Sequence, residues 1–182
     1  MPRLFTALEI PEETRLQLAG LRGGLKGARW IDPDNYHITL RFIGDVDAPT
    51  ADEIVASLDR VQPRPVPVRL CGLGAFGSRK PHAVWARVEP NRALSEIQAE
   101  QERLLQRIGL MPEGRKYTPH VTIARLRGAS PREVATWLSV RGDFAALPFM
   151  ARRFVLFSAR TSVGGGPYVA EEAFDLDVAE AA

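Results

Sequence analysis

Cysteine is almost absent from this 182-residue sequence, which contains only Cys71. A single cysteine excludes an intrachain disulfide and a zinc site built from several cysteines. No uncharged run approaches the roughly 20 apolar residues of a membrane helix. The segment after Met1 also lacks the apolar core that a signal peptide needs. From these absences we expect a cytoplasmic protein that has no membrane partner.

The balance of charge differs along the chain. The sequence has 24 Lys and Arg residues against 22 Asp and Glu residues, a net charge of +2. Residues 171–182 contain five acidic side chains and no basic one, so residues 1–170 are more basic than the total indicates. A basic body favours an anionic ligand. A solvated surface rich in arginine explains the same charge equally well.

Hydrophobic periodicity and turn residues predict the same order of elements twice, strand–helix–strand–helix–strand. The first pass comprises strands at Leu4–Ile10, Tyr36–Ile43 and Val66–Leu73, with helices from Pro11 to Gly23–Gly24 and through Ile54–Val61. The second pass comprises strands at Ala83–Val88, Pro119–Leu126, Phe154–Thr161 and Tyr168–Leu176, with helices at Asn91–Gly109 and from the capping box Ser130–Glu133.

This duplication predicts an α+β fold in one domain over residues 1–182. We expect two pseudo-symmetric lobes, formed by repeats at approximately 1–75 and 82–182, each with an antiparallel sheet and flanking helices. A cleft would lie between the lobes. The run Gly164–Pro167 lacks the lysine and the following helix of a phosphate-binding loop, so we interpret it as a hairpin turn.

Two of the three histidines occur in the same local pattern, His37-Ile38-Thr39-Leu40 and His120-Val121-Thr122-Ile123. Side chains alternate between the faces of a strand, so each histidine shares a face with the threonine two residues later. If the lobes are related by a pseudo-two-fold axis, both pairs converge on one space.

Two imidazoles and two hydroxyls suit phosphodiester chemistry. One imidazole can take a proton from water while the other protonates the leaving oxygen, and hydroxyls can bind phosphate oxygens. One such pattern alone is more typical of an ordinary, partly buried strand histidine. A metal site is a poor alternative, because no Asp, Glu or Cys accompanies the two histidines at ligand-like spacing.

The sequence resembles the 2H phosphoesterase superfamily, and within it the RNA 2′,3′-cyclic phosphodiesterases, also called 2′-5′ RNA ligases. The resemblance is carried by Asn35–Gly44, by Thr118–Arg125 and by Gly166–Tyr168, and it extends over nearly the whole chain. It implies that a 2′,3′-cyclic phosphate is hydrolysed to a 2′-phosphomonoester without a metal or other cofactor. The implied partners are RNA with cyclic phosphate ends, including tRNA fragments, or small cyclic nucleotides, and the implied state is a monomer.

The resemblance also implies a role for each site residue. His37 is the proton donor, His120 is the proton acceptor, and Thr39 and Thr122 hold the phosphate. Arg125 is a further phosphate ligand. A regular strand would place Arg125 out of phase with His120, so a bend or bulge after Thr122 is required.

Other polar and aromatic side chains remain open. Arg41 is in phase with His37, so it lines the groove or forms a charged rim that faces water. Phe5 is expected in the core, and Thr6 stands where relatives carry a second aromatic residue that can stack on a base. His82 is expected at the surface. Trp30 and Tyr168 either border the cleft or pack in the interior. A cluster of basic residues either follows an RNA backbone or forms a solvated rim: Arg115, Lys116, Arg125 and Arg127.

Two alternative functions stay open. The protein could bind RNA ends without turnover. It could also be a 2H phosphodiesterase that acts on 2′-5′ oligonucleotides or on cyclic nucleotide-sugar phosphates. Reversible 2′-5′ ligation would use the same two histidines as hydrolysis, so the sequence does not separate them.

Overall fold

A computed structural model describes residues 3–159 and 166–178 of the chain. Its α-helices are α1 (Glu12–Ala19), α2 (Ala48–Leu58), α3 (Arg92–Arg107) and α4 (Pro131–Val140). Its first strands are β1 (Arg3–Glu9), β2 (Ala28–Trp30), β3 (His37–Asp45), β4 (Val66–Val68) and β5 (Leu70–Phe76). The others are β6 (Ala83–Val88), β7 (His120–Leu126), β8 (Phe149–Ala151), β9 (Arg153–Ala159) and β10 (Val169–Asp175).

The strands form two four-stranded antiparallel sheets with the orders β10-β9-β1-β3 and β2-β7-β6-β5. A third, two-stranded sheet pairs β4 with β8. The strands that carry the two histidine motifs, β3 and β7, lie in different sheets and approach each other. The predicted α+β architecture with two antiparallel lobes is confirmed.

Each sequence half contributes strands to the sheet that contains the first strand of the other half. The order β9-β1-β3 in one sheet has the same form as β5-β6-β7 in the other. Strand β5 of the first half therefore pairs with β6, which begins the second half, and β9 of the second half pairs with β1, which begins the first. Each sheet thus draws strands from both 1–75 and 82–182, so one sequence half does not build one lobe by itself.

Local capping signals begin three helices where the sequence predicts them or slightly earlier. The Asn91 side chain accepts from the backbone N–H of Leu94 at 2.9 Å, and Asp47 caps α2 in the same way. Ser130 and Glu133 form the predicted capping box. Helix α1 ends at Ala19, before the predicted Gly23–Gly24, because tighter turns, with N–H bonds to the third preceding residue, replace the helix before the glycines adopt positive φ.

The predicted strand Val66–Leu73 is split into two strands. Residues Val66–Val68 pair with β8, whereas Leu70–Phe76 pair with β6, so the chain changes sheets at Arg69. Strands β2 and β8 have three residues each and were not predicted. Strands β9 and β10 pair antiparallel as a hairpin requires. The proposed turn at residues 164–165 and the predicted strand end at Thr161 lie outside the described residues.

One continuous hydrophobic cluster connects the helices to both large sheets. Helix α3 contributes one apolar face to it, and the alternating aliphatic residues Ile38, Leu40, Val121 and Ile123 anchor the motif strands in it. Each of those four side chains is almost fully buried. Among the described residues, no helix is both long enough and apolar enough to span a membrane.

Gly74 is required by a close approach between β5 and the indole ring of Trp85. A Cβ at Gly74 would lie 2.4 Å from a ring carbon. Gly74→Ala is expected to lower the free energy of unfolding by about 1–3 kcal/mol, because the ring must move. Urea denaturation measures this change. Gly114→Ala is the matched control, since nothing lies within 4 Å of its Cβ position. Equal loss of stability in both variants would contradict the packing described.

Candidate active site

Both motif strands contain a β-bulge at the same position. In β3, Thr39 pairs with Ala7 but Arg41 pairs with Thr6, so Leu40 is the extra residue. In β7, Thr122 pairs with Trp85 but Ala124 pairs with Val84, which makes Ile123 the extra residue. The bulge lies three residues after the histidine in each motif, and it interrupts the alternation of buried and accessible side chains.

The bulge changes which later side chains reach the cleft. Arg125, five residues after His120, is exposed and lines the cleft, so the bend that this placement requires is present at Ile123. Phe42 holds the corresponding position after His37 and is 49% exposed. Phe42 and Arg125 both lie five positions after a motif histidine, but only the bulges explain why both reach the cleft.

Two adjoining cavities, of about 680 and 590 Å³, form the cleft. His120 and Thr122 line the larger cavity, and His37 lines the smaller one. The two cavities share four side chains: Thr39, Phe42, His82 and Arg125. The structure therefore brings together all five residues that were predicted to form the site.

The two catalytic candidates are held by equivalent hydrogen bonds. Nδ1 of His37 lies 2.8 Å from the carbonyl oxygen of Asn35, and Nδ1 of His120 lies 2.7 Å from that of Thr118. A carbonyl oxygen can only accept, so each Nδ1 carries a proton. Nε2 is then the ring nitrogen left to exchange a proton with a ligand in each case.

Burial favours the neutral form of both imidazoles. It lowers the pKa of His37 from 6.5 to about 4, with smaller contributions from His120 and Arg125 opposing the hydrogen bond to Asn35. Burial also lowers the pKa of His120, again with a contribution from Arg125. The guanidinium thus acts on both histidines. In the unliganded protein both rings are neutral at pH 7, with a free lone pair on Nε2.

Aromatic rings provide the burial around His37. The ring centroid of Phe5 lies 5.0 Å from that of His37, and Tyr168 packs edge-on at 5.1 Å. Phe5 is only 5% exposed, which confirms its predicted place in the core. Thr6 is also buried and donates to Gln101 at 2.6 Å, so it presents nothing to the cleft. Trp30 packs against another indole, whereas Tyr168 borders the smaller cavity.

Arg41 lines the larger cavity, which is one of its two expected positions, and the alternative of a charged rim that faces water is wrong. It is 5% exposed and bonds to the Glu102 carboxylate and to the carbonyl oxygens of Phe42 and Met111. Glu102 also accepts from the backbone N–H of Glu113 at 3.0 Å. These bonds attach the segment between α3 and β7 to β3.

Tyr117 makes a second connection between the two motifs. Its hydroxyl donates to the carbonyl oxygen of Thr39 at 3.0 Å, and burial raises the pKa of this hydroxyl. The next residue, Thr118, supplies the carbonyl that orients His120. The first motif therefore fixes the backbone that positions the second histidine. No local pattern in the sequence signals this contact, because it joins residues 78 positions apart.

The basic cluster around the second motif is divided. Arg115 and Lys116 line the larger cavity together with Arg125, whereas Arg127 lines neither cavity. Arg115 is highly exposed and lies 3.8 Å from Glu113. In the part of the chain that the structure describes, no group of three or more His, Cys, Asp or Glu side chains is arranged to hold a metal ion.

Comparison with known proteins identifies the class to which this fold and site belong. The model of the LigT-like phosphoesterases matches the chain twice, at residues 8–86 and 87–168. These two matches correspond to the two passes seen in the sequence. The chain belongs to the LigT-like phosphoesterase family, as its two motif blocks predict.

Several sequence relatives are named RNA 2′,3′-cyclic phosphodiesterase. The Aeropyrum pernix protein is 42% identical over 101 residues, which cover 54% of this chain and 57% of the relative. The Methanocaldococcus jannaschii protein is 34% identical over 128 residues, covering 69% of this chain and 72% of the relative. The aligned segment spans less than two thirds of the relative from Aeropyrum and, at 63%, of that from Aquifex aeolicus.

Solved structures share the fold at low sequence identity. The Thermus thermophilus protein TT0787 superposes with a TM-score of 0.80 at 22% identity, covering 96% of this chain and 97% of that one. The Escherichia coli LigT structure complexed with 3′-AMP gives a TM-score of 0.78 at 24% identity, covering 97% and 99%. Together these likenesses confirm the predicted fold.

The depressed pKa of His37 can be measured directly. An NMR titration of labelled histidine is expected to give a pKa of about 4 for His37 in the free protein. Added inorganic phosphate should raise this pKa, because a nearby anion stabilises the imidazolium. The variant His37→Gln assigns the signal. Titration at the ordinary histidine value of about 6.5, unaffected by phosphate, would contradict the site described.

Proposed function

We propose that this protein is a metal-independent RNA 2′,3′-cyclic phosphodiesterase, which opens cyclic phosphate ends to 2′-phosphomonoesters. The observation that carries the proposal is the convergence of two identically oriented, neutral imidazoles on one cleft that also contains Arg125. The names of the sequence relatives support the same reaction.

Each histidine has a separate task in this reaction. Nε2 of His120 accepts a proton from water as the water oxygen attacks phosphorus. The bond between phosphorus and O3′ breaks, and His37 donates a proton from Nε2 to O3′. The phosphate remains on O2′, and the two histidines exchange protonation states. A general acid and a general base of this kind each accelerate a reaction by about 10²–10⁴-fold.

His37 must carry a second proton before it can act as an acid. Its low pKa means that the free enzyme at pH 7 rarely holds that proton. The bound phosphodiester is an anion, and an opposite charge near Nε2 raises the pKa of an imidazole. Substrate binding thus protonates the donor, and the buried, low-dielectric environment strengthens this effect.

Phosphate oxygens are held by the remaining three site residues. The hydroxyls of Thr39 and Thr122 donate to the non-bridging oxygens, and Arg125 supplies a positive charge. Negative charge on these oxygens increases in the pentacoordinate transition state, so fixed donors stabilise it more than the bound substrate. The tethered backbone at Tyr117 keeps the donors of both motifs in register.

The substrate class is RNA, including tRNA fragments, together with small cyclic nucleotides. Arg115 and Lys116 extend positive charge from the larger cavity and suit the phosphates that precede the cyclic end. We also propose a monomer, since one chain supplies both motifs and Arg125, and a cytoplasmic location, since a single cysteine suits a reducing compartment. We further propose reversible 2′-5′ ligation as a second activity, in which an RNA 5′-hydroxyl in the larger cavity replaces water as the nucleophile at His120.

Removal of either histidine tests the acid–base pair. His37→Ala and His120→Ala are each expected to reduce turnover of a 2′,3′-cyclic nucleotide by about 10²–10⁴-fold with the fold intact by circular dichroism. The double variant should be little worse, because the two residues act as a unit. Arg127→Ala is the control, an exposed side chain outside both cavities. Near-normal turnover in either single variant would disprove the mechanism, and RNA-end binding without turnover in the wild type would favour a binding protein.

A better leaving group separates the two histidine roles. A p-nitrophenyl phosphodiester releases nitrophenolate, which needs no proton from an acid. The deficit of His37→Ala relative to wild type should therefore shrink on this substrate, whereas that of His120→Ala should persist. The comparison uses kcat/KM for both variants on both substrates. The reverse pattern would show that the donor and acceptor are exchanged.

Loss of the Tyr117 hydroxyl tests the link between the motifs. Tyr117→Phe keeps the ring and removes one hydrogen bond, and it is expected to lower kcat by about two- to tenfold with little change in KM. Steady-state kinetics are measured at a temperature where both proteins are folded. The melting temperature of each protein is measured separately by thermal unfolding. An unchanged kcat together with a lower melting temperature would mean that Tyr117 only stabilises the fold.

A further inference from the structure

His82 is the third histidine of the cleft, and the acid–base mechanism does not use it. It is exposed and lies at the start of β6, where it lines both cavities. Thr39, Arg125 and Phe42 also line both cavities, and we place Thr39 and Arg125 at the phosphate. A ligand that fills either cavity from the phosphate outward therefore meets His82.

The imidazole of His82 is stacked on an aromatic ring. It is nearly parallel to Phe76, with an interplanar angle of 22° and 6.1 Å between ring centroids. Phe76 packs in turn against Trp85 at 5.2 Å and edge-on against His120 at 5.0 Å. His82 is thus the outermost ring of a stack that extends to the catalytic centre, with Phe76 on one of its faces.

Hydrogen bonds fix the backbone that carries this ring before any ligand binds. The N–H of His82 donates to the carbonyl of Phe76 at 3.0 Å, and its own carbonyl accepts from Leu126 at 2.9 Å. Gly77 closes the turn before it with φ of +88°, where a Cβ would lie 2.2 Å from the Lys80 carbonyl oxygen. A backbone fixed in this way loses little conformational freedom when a ligand contacts its side chain.

We infer that His82 is a specificity-determining residue that stacks on a nucleobase at the RNA end. Unpaired RNA bases are recognised by stacking on aromatic and histidine rings. Phe5 lines the smaller cavity but is only 5% exposed and is stacked on Phe157 at 5.5 Å, so it offers little ring surface to a base, and Thr6 is buried as well. The inference rests on the proposed function, because it places the base by reference to the bound phosphate.

The test compares three substitutions that separate a flat ring from a positive charge. His82→Ala removes the ring, His82→Phe supplies a flat ring without charge, and His82→Lys supplies a positive charge without a ring. The substrates are adenosine 2′,3′-cyclic phosphate and methyl riboside 2′,3′-cyclic phosphate, which has the same reacting group and no base. The measured quantity is the ratio of kcat/KM for the two substrates. Lys80→Ala is the control, an exposed neighbour that lines neither cavity.

Stacking predicts that His82→Ala lowers this ratio about tenfold, that His82→Phe keeps it, and that His82→Lys does not restore it. An unchanged ratio in His82→Ala would overturn the inference. A ratio restored by lysine and not by phenylalanine would also overturn it, and would make His82 a phosphate contact.

A binding measurement keeps this inference separate from the proposed reaction. If the wild type turns over neither substrate, the proposed function fails, but the affinity for adenosine 2′-phosphate still reports on the stack. Calorimetry should then show weaker binding in His82→Ala and near wild-type binding in His82→Phe. Equal affinity in the wild type and both variants would refute base stacking at His82.

Discussion

The site depends on a backbone irregularity that occurs twice, the bulge three residues after each histidine. A regular strand presents on one face the histidine, the threonine two residues later and the residue four positions after the histidine. The extra residues Leu40 and Ile123 shift this alternation, so that the residue five positions after each histidine reaches the cleft. One repeat uses that position for Arg125 and the other for Phe42. The duplication thus gives matched histidines and threonines but different groups beside them.

Burial of the imidazoles has opposite consequences for the two proposed roles. A neutral His120 is ready to accept a proton, so its lowered pKa favours the base. The same burial leaves His37 without the proton that an acid needs. An anionic substrate removes this difficulty by stabilising the imidazolium. In the proposed mechanism, His37 therefore has a proton to donate only when a phosphate occupies the cleft.

Local signals in the sequence predicted much of the fold and the central site residues. Strand alternation, the cap at Asn91 and the capping box at Ser130 are short-range effects, and each is present in the structure. The exchange of β5 and β9 between sheets depends on long-range pairing, which no local pattern encodes. Arg41 lines the cleft as its phase predicted, but its burial against Glu102 was not predicted, because the two residues lie 61 positions apart. Tyr117 was missed because its partner lies in the other half of the chain.

The most direct test of the proposed chemistry is the identity of the product. The protein is incubated with a 2′,3′-cyclic nucleotide, with and without excess EDTA, and the product is assigned by ³¹P NMR against authentic 2′- and 3′-monophosphates. The account predicts the 2′-monophosphate at the same rate in both samples. A 3′-monophosphate, or activity that EDTA abolishes and a divalent metal restores, would contradict it.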